Sequence, residues 1–494
     1  MNPKTYRKIL SFFYLPWLII LIISLPTSSF PQPDFPHTPA GKQMAELLRA
    51  FNSGKRSHFR SYFREHVAES FRKIAPLERH LAVFSEIYDK NRGFEVHSFP
   101  ESSEYELTAI VQSKLTGGWN KLRIQVEPDS PHLVAGMGIM MSEPPADIPL
   151  SQKLSDEEIV KKLETFVDRL YEADIFSGVV LIAKDGKPLF KKAYGLASKR
   201  YNVSNRIDTK FNIGSMNKMF TAVAIAQLVE QEKLSFSDPI GKYLDTEWVK
   251  LEIGQEVKIS HLLSHTSGLG SFFTDEFMKS SRMLFRNVGD YKPIVSKESL
   301  AFKPGAKWKY SNTGFHLLGA IIEKVTGQSY YDYVREHIYK VAGMTNTDAY
   351  EMDKPVPNLA MGYEKEFSDE GYTWRNNLFE HTIRGGPAGG GFTTADDLLR
   401  FDIAMRTNKL ISQESRELLM SPKPELKSPR YGYGFRIKES KTQGRIVGHS
   451  GGFTGINAKL SMYLDSGYTV ILLSNYSRGI FAVDDKVQNL LQVD

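Results

Sequence analysis

Ser215-Met216-Asn217-Lys218 follows the strand-like stretch Lys210-Phe211-Asn212-Ile213-Gly214 and opens a helix-like run from Met219 to Glu232. A serine hydroxyl is a poor nucleophile at neutral pH. A lysine three residues later on a helix shares its face and lies close enough to take the proton. The spacing suits covalent catalysis. Ser-x-x-Lys also arises wherever a capping serine precedes a solvated lysine, so the reading depends on finding the parts an acylating serine still lacks.

Two motifs supply those parts. Tyr310-Ser311-Asn312 follows the turn Lys303-Pro304-Gly305 and leads into an apolar helix from Phe315 to Val325, which puts a phenol where a proton could be relayed. Val447-Gly448-His449-Ser450-Gly451-Gly452-Phe453 joins a short apolar strand to two glycines. Glycine lets a backbone approach a ligand closely, and amide N–H groups on such a strand form half of an oxyanion hole.

In this order the three motifs resemble the serine beta-lactamase and penicillin-binding-protein superfamily, in its class C-like branch of esterases, DD-carboxypeptidases and D-aminopeptidases. Supporting signatures are Leu262-Leu263-Ser264-His265-Thr266-Ser267-Gly268-Leu269, Gly389-Gly390-Gly391-Phe392-Thr393-Thr394 and Tyr431-Gly432-Tyr433-Gly434-Phe435. The resemblance runs from about Ser155 to the C-terminus. It implies an α+β fold, an antiparallel sheet with an all-helical lobe, and an active site between the two. It also implies roles: Ser215 as nucleophile, Lys218 as base or orienter of the base, Tyr310 sharing the proton, and Asn312 holding the substrate's acyl group. The oxyanion hole falls to the N–H groups of Ser215 and Gly452, with Gly451 and His449 beside it. His449 stands where the family's third motif has lysine. A lysine would offer a permanent charge to a penicillin carboxylate, whereas a histidine is only partly protonated near neutral pH, which favours esters or D-amino-acid peptides over beta-lactams.

The N-terminus is read for compartment. Lys4, Arg7 and Lys8 precede an apolar run from Ile9 to Leu25 and then Pro26-Thr27-Ser28-Ser29-Phe30, the pattern of a secretory signal over residues 1–29. A signal anchor left in place, tethering the protein to the membrane, is the alternative. Either way the catalytic part is expected outside the cytoplasm, periplasmic or secreted. The 494 residues exceed one ordinary domain, and their 41% hydrophobic content suffices for cores of normal size. With 63 basic and 57 acidic residues the net charge is +6, and the two signs are interspersed, so no nucleic-acid stripe is present. The absence of cysteine removes disulfides, thiol catalysis and Cys-ligated zinc. The histidines lack metal-ligand spacing, so neither a metal nor another cofactor is expected. His261 and His265, four apart around Leu262 and Leu263, read as structural.

From about Thr38 to Met141 lies a separate segment. Ala45, Leu48, Phe51, Phe59, Phe63 and Val67 recur at helical spacing, and residues 94–97, 106–112 and 121–126 alternate like strands. This order of helices and then sheet resembles an NTF2-like cone and is read as an accessory domain, with residues 142–154 as linker. In the catalytic domain, residues 155–494, a helix over Asp156 to Glu172 precedes a hairpin spanning Gly178 to Tyr194. After a helical insertion the chain returns to the same sheet near Arg445, followed by strands Asn457 to Tyr463 and Tyr468 to Ser474 and a helix from Ile480 to Leu491. Phe272, Phe273, Phe285, Tyr291 and Trp374 are expected to fill the helical core, some of them lining the acyl pocket. The leading function is an exported serine hydrolase of esters or amides acting through an acyl-enzyme. A DD-carboxypeptidase or D-aminopeptidase on peptidoglycan-type peptides is the enzymatic alternative, and a non-catalytic binding or scaffold protein the third.

Overall fold

The computed structural model describes residues 31–148, 153–440 and 442–491. The secretory segment and residues 149–152 of the expected linker lie outside them. The first unit packs helices α1 (Pro39–Asn52), α2 (Arg56–Glu65) and α3 (Leu77–Asn91) on an antiparallel sheet of β1 (Phe94–Ser102), β2 (Glu106–Ser113), β3 (Trp119–Val126) and β4 (Val134–Met141), in sequential order. Its core is its own: Leu48, Phe51, Phe59, Phe63 and Val67 are buried against Val96, Val111, Ile124 and Val134. Ala45 is only half-buried, and its neighbour Met44 takes the inward place.

The second unit begins at α4 (Asp156–Glu172), started by a reciprocal cap in which Ser155 Oγ accepts from Glu158 N and Glu158 Oε2 accepts from Ser155 N. The hairpin of β5 (Gly178–Lys184) and β6 (Lys187–Tyr194) follows, then helix α5 (Asn217–Glu230) and helix α6 (Asn312–Thr326) in a large helical lobe. A second hairpin, β7 (Tyr363–Ser368) with β8 (Gly371–Asn376), and helix α7 (Ala395–Arg406) lead back to the sheet. It is completed by β9 (Arg436–Ser440), β10 (Gly444–Phe453), β11 (Ile456–Tyr463) and β12 (Tyr468–Ser474), and closed by helix α8 (Phe481–Leu490).

The six strands lie in the order β9-β10-β11-β12-β5-β6, all antiparallel, so the two ends of the domain meet where β12 pairs with β5. Both faces of the sheet are covered, which explains why β5 and β12 read as nearly continuous apolar runs. Val180, Ile182, Val470 and Leu472 pack on α4 and α8. Val179, Leu181, Ile471 and Leu473 face the helical lobe, whose centre is the almost wholly buried α5. The helix that begins just after Ser215 is thus clamped between sheet and lobe.

Candidate active site

Ser215 sits in a single 3-10 turn, Gly214–Met216, that runs directly into α5. The turn is fixed from two sides. Phe211–Asn212 pairs with Phe392–Thr393, Ile213 N donates to Gly391 O at 2.9 Å, and Gly390 N donates to Gly214 O at 3.2 Å. From the sheet, Gly451 comes so close that a Cβ there would fall 1.8 Å from Ile213 O, and one on Gly214 would meet Gly452 N at 3.1 Å. Only glycines allow this approach, which brings the β10 backbone beside the serine turn.

Lys218, one turn into α5, is fully buried. Its Nζ lies 3.2 Å from Ser215 Oγ, 2.8 Å from Asn312 Oδ1 and within hydrogen-bond distance of Ala388 O. No carboxylate pairs with it among the described residues. Burial first, and the charge of Arg436 second, push its amine well below the ordinary lysine range. A neutral amine has two N–H bonds and one lone pair. The two carbonyl oxygens use both N–H bonds, which leaves the lone pair for the Ser215 O–H.

Asn312 is the first residue of α6, where Ser311 Oγ caps the helix by accepting from Gly314 N at 2.9 Å. Its Nδ2 donates to Ser271 Oγ at 3.1 Å, fixing which end of the amide faces Lys218. Tyr310 lies with its ring centre 4.9 Å from Lys218 Nζ and hydrogen-bonds the Ser215 hydroxyl. Burial raises its phenol to about 12, so it stays protonated at neutral pH.

His265 does more than terminate a helix. Its Nδ1 accepts from Ser311 N at 3.1 Å and its carbonyl from Lys309 N at 2.9 Å, so it grips the chain on both sides of Tyr310. Its ring lies 4.2 Å from that of Tyr310 and 4.5 Å from that of Tyr431. His449, also buried, differs from the expectation of partial protonation. Its Nδ1 donates to Ser450 O at 2.6 Å and its Nε2 accepts from Tyr431 Oη at 3.0 Å. Burial, then Lys218 and Arg436, hold it well below the usual histidine range, so the ring is neutral.

The permanent cation near the site is one the sequence reading passed over. Arg436, exposed at the start of β9 and paired in register with Gly448, holds its guanidinium carbon 5.8 Å from the Tyr310 ring centre. It directly follows the quoted Tyr431–Phe435 signature, and a basic residue at the head of a strand was the only signal available. Of the aromatics assigned to the helical core, Phe272, Phe285 and Tyr291 are buried in it. Phe273 is 42% exposed and stacks on Phe453, the residue after the glycine pair, at 5.8 Å. Trp374 instead lies on β8, where its ring packs 4.2 Å from that of Tyr476 and Lys199 Nζ sits over both.

A serine turn held between an antiparallel sheet and a helical lobe, with a buried lysine and a phenol against it, is the arrangement of serine hydrolases with the beta-lactamase fold. The chain belongs to the beta-lactamase family, whose sequence profile matches residues 160–493. A penicillin-binding protein of Bacillus subtilis strain 168 is 33% identical over 328 residues, 64% of this chain and 71% of that one. Among solved structures, a penicillin-binding protein from Bacillus halodurans superposes with a TM-score of 0.59 at 28% identity, covering 69% of this chain and all of the other. An octameric penicillin-binding-protein homologue from Pyrococcus abyssi gives 0.58 at 27%, covering 68% and 78%.

Proposed function

We propose that this chain is an exported serine hydrolase that forms an acyl-enzyme at Ser215 and hydrolyses esters or amides. The observation that carries the reading is the Lys218 amine, buried without a counter-charge, its two N–H bonds taken by Asn312 Oδ1 and Ala388 O and its lone pair left for the serine. Lys218 takes the Ser215 proton as Oγ bonds to the acyl carbon. The resulting oxyanion lies against the N–H groups of Ser215 and Gly452. As the tetrahedral centre collapses, Tyr310 gives its proton to the departing alcohol or amine and recovers one from the Lys218 ammonium. Water then enters by the reverse path, its proton passing through the same pair, and the acid product leaves.

Arg436 favours a second reading within the peptidase alternative, a D-amino-acid peptide with a free carboxylate, as a DD-carboxypeptidase would take, rather than the free amine a D-aminopeptidase recognises. A guanidinium at the mouth of the site, beside a neutral His449, suits a carboxylate on the leaving side. Against the scaffold reading stand the Lys218 amine 3.2 Å from Ser215 Oγ and the hydrogen bond of Tyr310 to the same hydroxyl.

Export rests on the apolar run of residues 9–25; among the described residues no helix is long and apolar enough to cross a membrane. Residues 38–141 are read as an accessory domain, supported by their separate core. The test is steady-state hydrolysis of a short-chain p-nitrophenyl ester and of a D-Ala-D-Ala peptide. Ser215→Ala abolishes both, and Arg436→Gln raises KM for the peptide while sparing the ester. Ester or peptide turnover that survives in Ser215→Ala overturns the proposal.

A further inference from the structure

We propose that the N-terminal unit carries a binding site for a medium-chain carboxylate, in the cavity between α3 and the sheet, with Arg79 and His80 taking the headgroup. The cavity measures about 250 Å³ and is walled by Leu48, Phe51, Phe84, Ile87, Leu122 and Ile139, among other apolar residues. At roughly 30 Å³ per water-sized group it has room for a chain of about eight carbons. The only charged or hydrogen-bonding side chains on its wall are Arg79 and His80, adjacent on the first turn of α3.

Both are poised for an oxygen ligand. The His80 ring is stacked between Phe63, at 5.0 Å, and Phe71, at 5.5 Å, and its Nε2 is buried with no hydrogen-bond partner in the protein. A buried ring nitrogen left unpaired carries the desolvation cost of an unmade hydrogen bond, and a turn of the ring toward the cavity lets a ligand oxygen remove it. Arg79 is exposed at the rim and takes part in no ion pair among the described residues, although its neighbour Glu78 holds both Arg56 and Arg60. An apolar cleft whose wall carries one guanidinium and one imidazole suits an aliphatic chain ending in a carboxylate.

The test is calorimetric titration of the full chain with hexanoate, octanoate and decanoate below their micelle concentrations. Affinity rises about fourfold per methylene while the chain fits the cavity, the fold-change of about 0.8 kcal/mol per buried CH₂. His80→Phe, which keeps the stack, weakens octanoate binding about tenfold, the loss of a charge-assisted hydrogen bond. Arg79→Gln weakens octanoate but not octanol. Val83→Trp, at the half-exposed rim, blocks both, and circular dichroism checks that each variant is folded. Ester hydrolysis stays at the wild-type rate in all three. Binding left unchanged by the three variants would place the carboxylate in the catalytic cleft and overturn the proposal. So would absence of binding with a chain that sediments as a dimer and is dispersed by Val83→Asp, because a second copy would then cover the cavity.

Discussion

Asn312→Asp is a nearly isosteric change that tests whether a neutral lysine drives the chemistry. It replaces the amide oxygen 2.8 Å from Lys218 Nζ with a carboxylate oxygen. At an effective dielectric of about 20, unit charges at that separation attract by about 6 kcal/mol, an upper bound of about four pKa units at 1.36 kcal/mol each. Burying a new carboxylate costs part of that, and neighbouring opposite charges ordinarily shift a group by about 1–3 units. The sign is fixed: the carboxylate favours the ammonium, so the Lys218 pKa rises and less free amine exists at neutral pH. The expected kcat/KM at pH 7 falls about 10- to 1,000-fold, and activity recovers as pH rises through the new pKa. On the neutral-amine argument the wild type, whose lysine burial pushes well below the ordinary range and whose Tyr310 ionises only at about 12, shows no such climb. A full pH–rate profile of ester hydrolysis is the assay, with Asn312→Leu as the uncharged control. A variant that keeps the wild-type profile, or that loses activity equally at every pH, would refute the neutral-amine argument.

Three further outcomes are expected. Gly451→Ala must push β10 away from Ile213 O, 1.8 Å from the new Cβ, so kcat falls about 10²- to 10³-fold, the effect of one misplaced oxyanion donor, while the fold persists by circular dichroism. The Lys365–Asp89 pair, 2.8 Å apart with each side chain under a tenth exposed, ties β7 to α3; because Asp89 also pairs with Arg92 at 2.9 Å, it is Asp89→Leu that strands a buried charge, costing about 3–5 kcal/mol in urea unfolding, and adding Lys365→Met restores most of it. His265, His316 and His449 are buried and held neutral by burial first, His316 down to about 4, so the unfolded chain binds protons that the folded chain does not. Their stabilisation is complete above about pH 6.5 and is lost below it at about 1.4 kcal/mol per pH unit for each histidine, read from urea unfolding between pH 7 and 5; a flat profile would contradict their burial as neutral rings.

The chemistry of the site was legible where it depends on local spacing. Ser215 and Lys218 are a turn apart on one helix, and the glycine pair and Tyr310-Ser311-Asn312 lie in short motifs, so one-dimensional reading finds them. What it missed depends on tertiary contact. The Ala388 carbonyl that helps orient Lys218 is a backbone group with no sequence mark. His265 reads as structural, and what the sequence does not show is that this role reaches Tyr310, through a grip on Lys309 and Ser311 that spans more than forty residues of chain. Arg436 was passed over because β9 is mostly charged, Arg436-Ile437-Lys438-Glu439, and reads as a solvated edge. In the first unit β4 escaped notice because Gly136 and Gly138 dilute its β character; its pairing with β3, not its composition, makes it a strand.

The central claim is an acyl group carried on Ser215 and placed there by Lys218. Intact-mass spectrometry after brief mixing with a p-nitrophenyl ester, followed by peptide mapping, reads it directly. The account predicts one acyl adduct per chain on the peptide bearing Ser215, absent from Ser215→Ala and strongly slowed in a folded Lys218→Met variant. An adduct on another residue, or acylation of Ser215 at the same rate without Lys218, would contradict it.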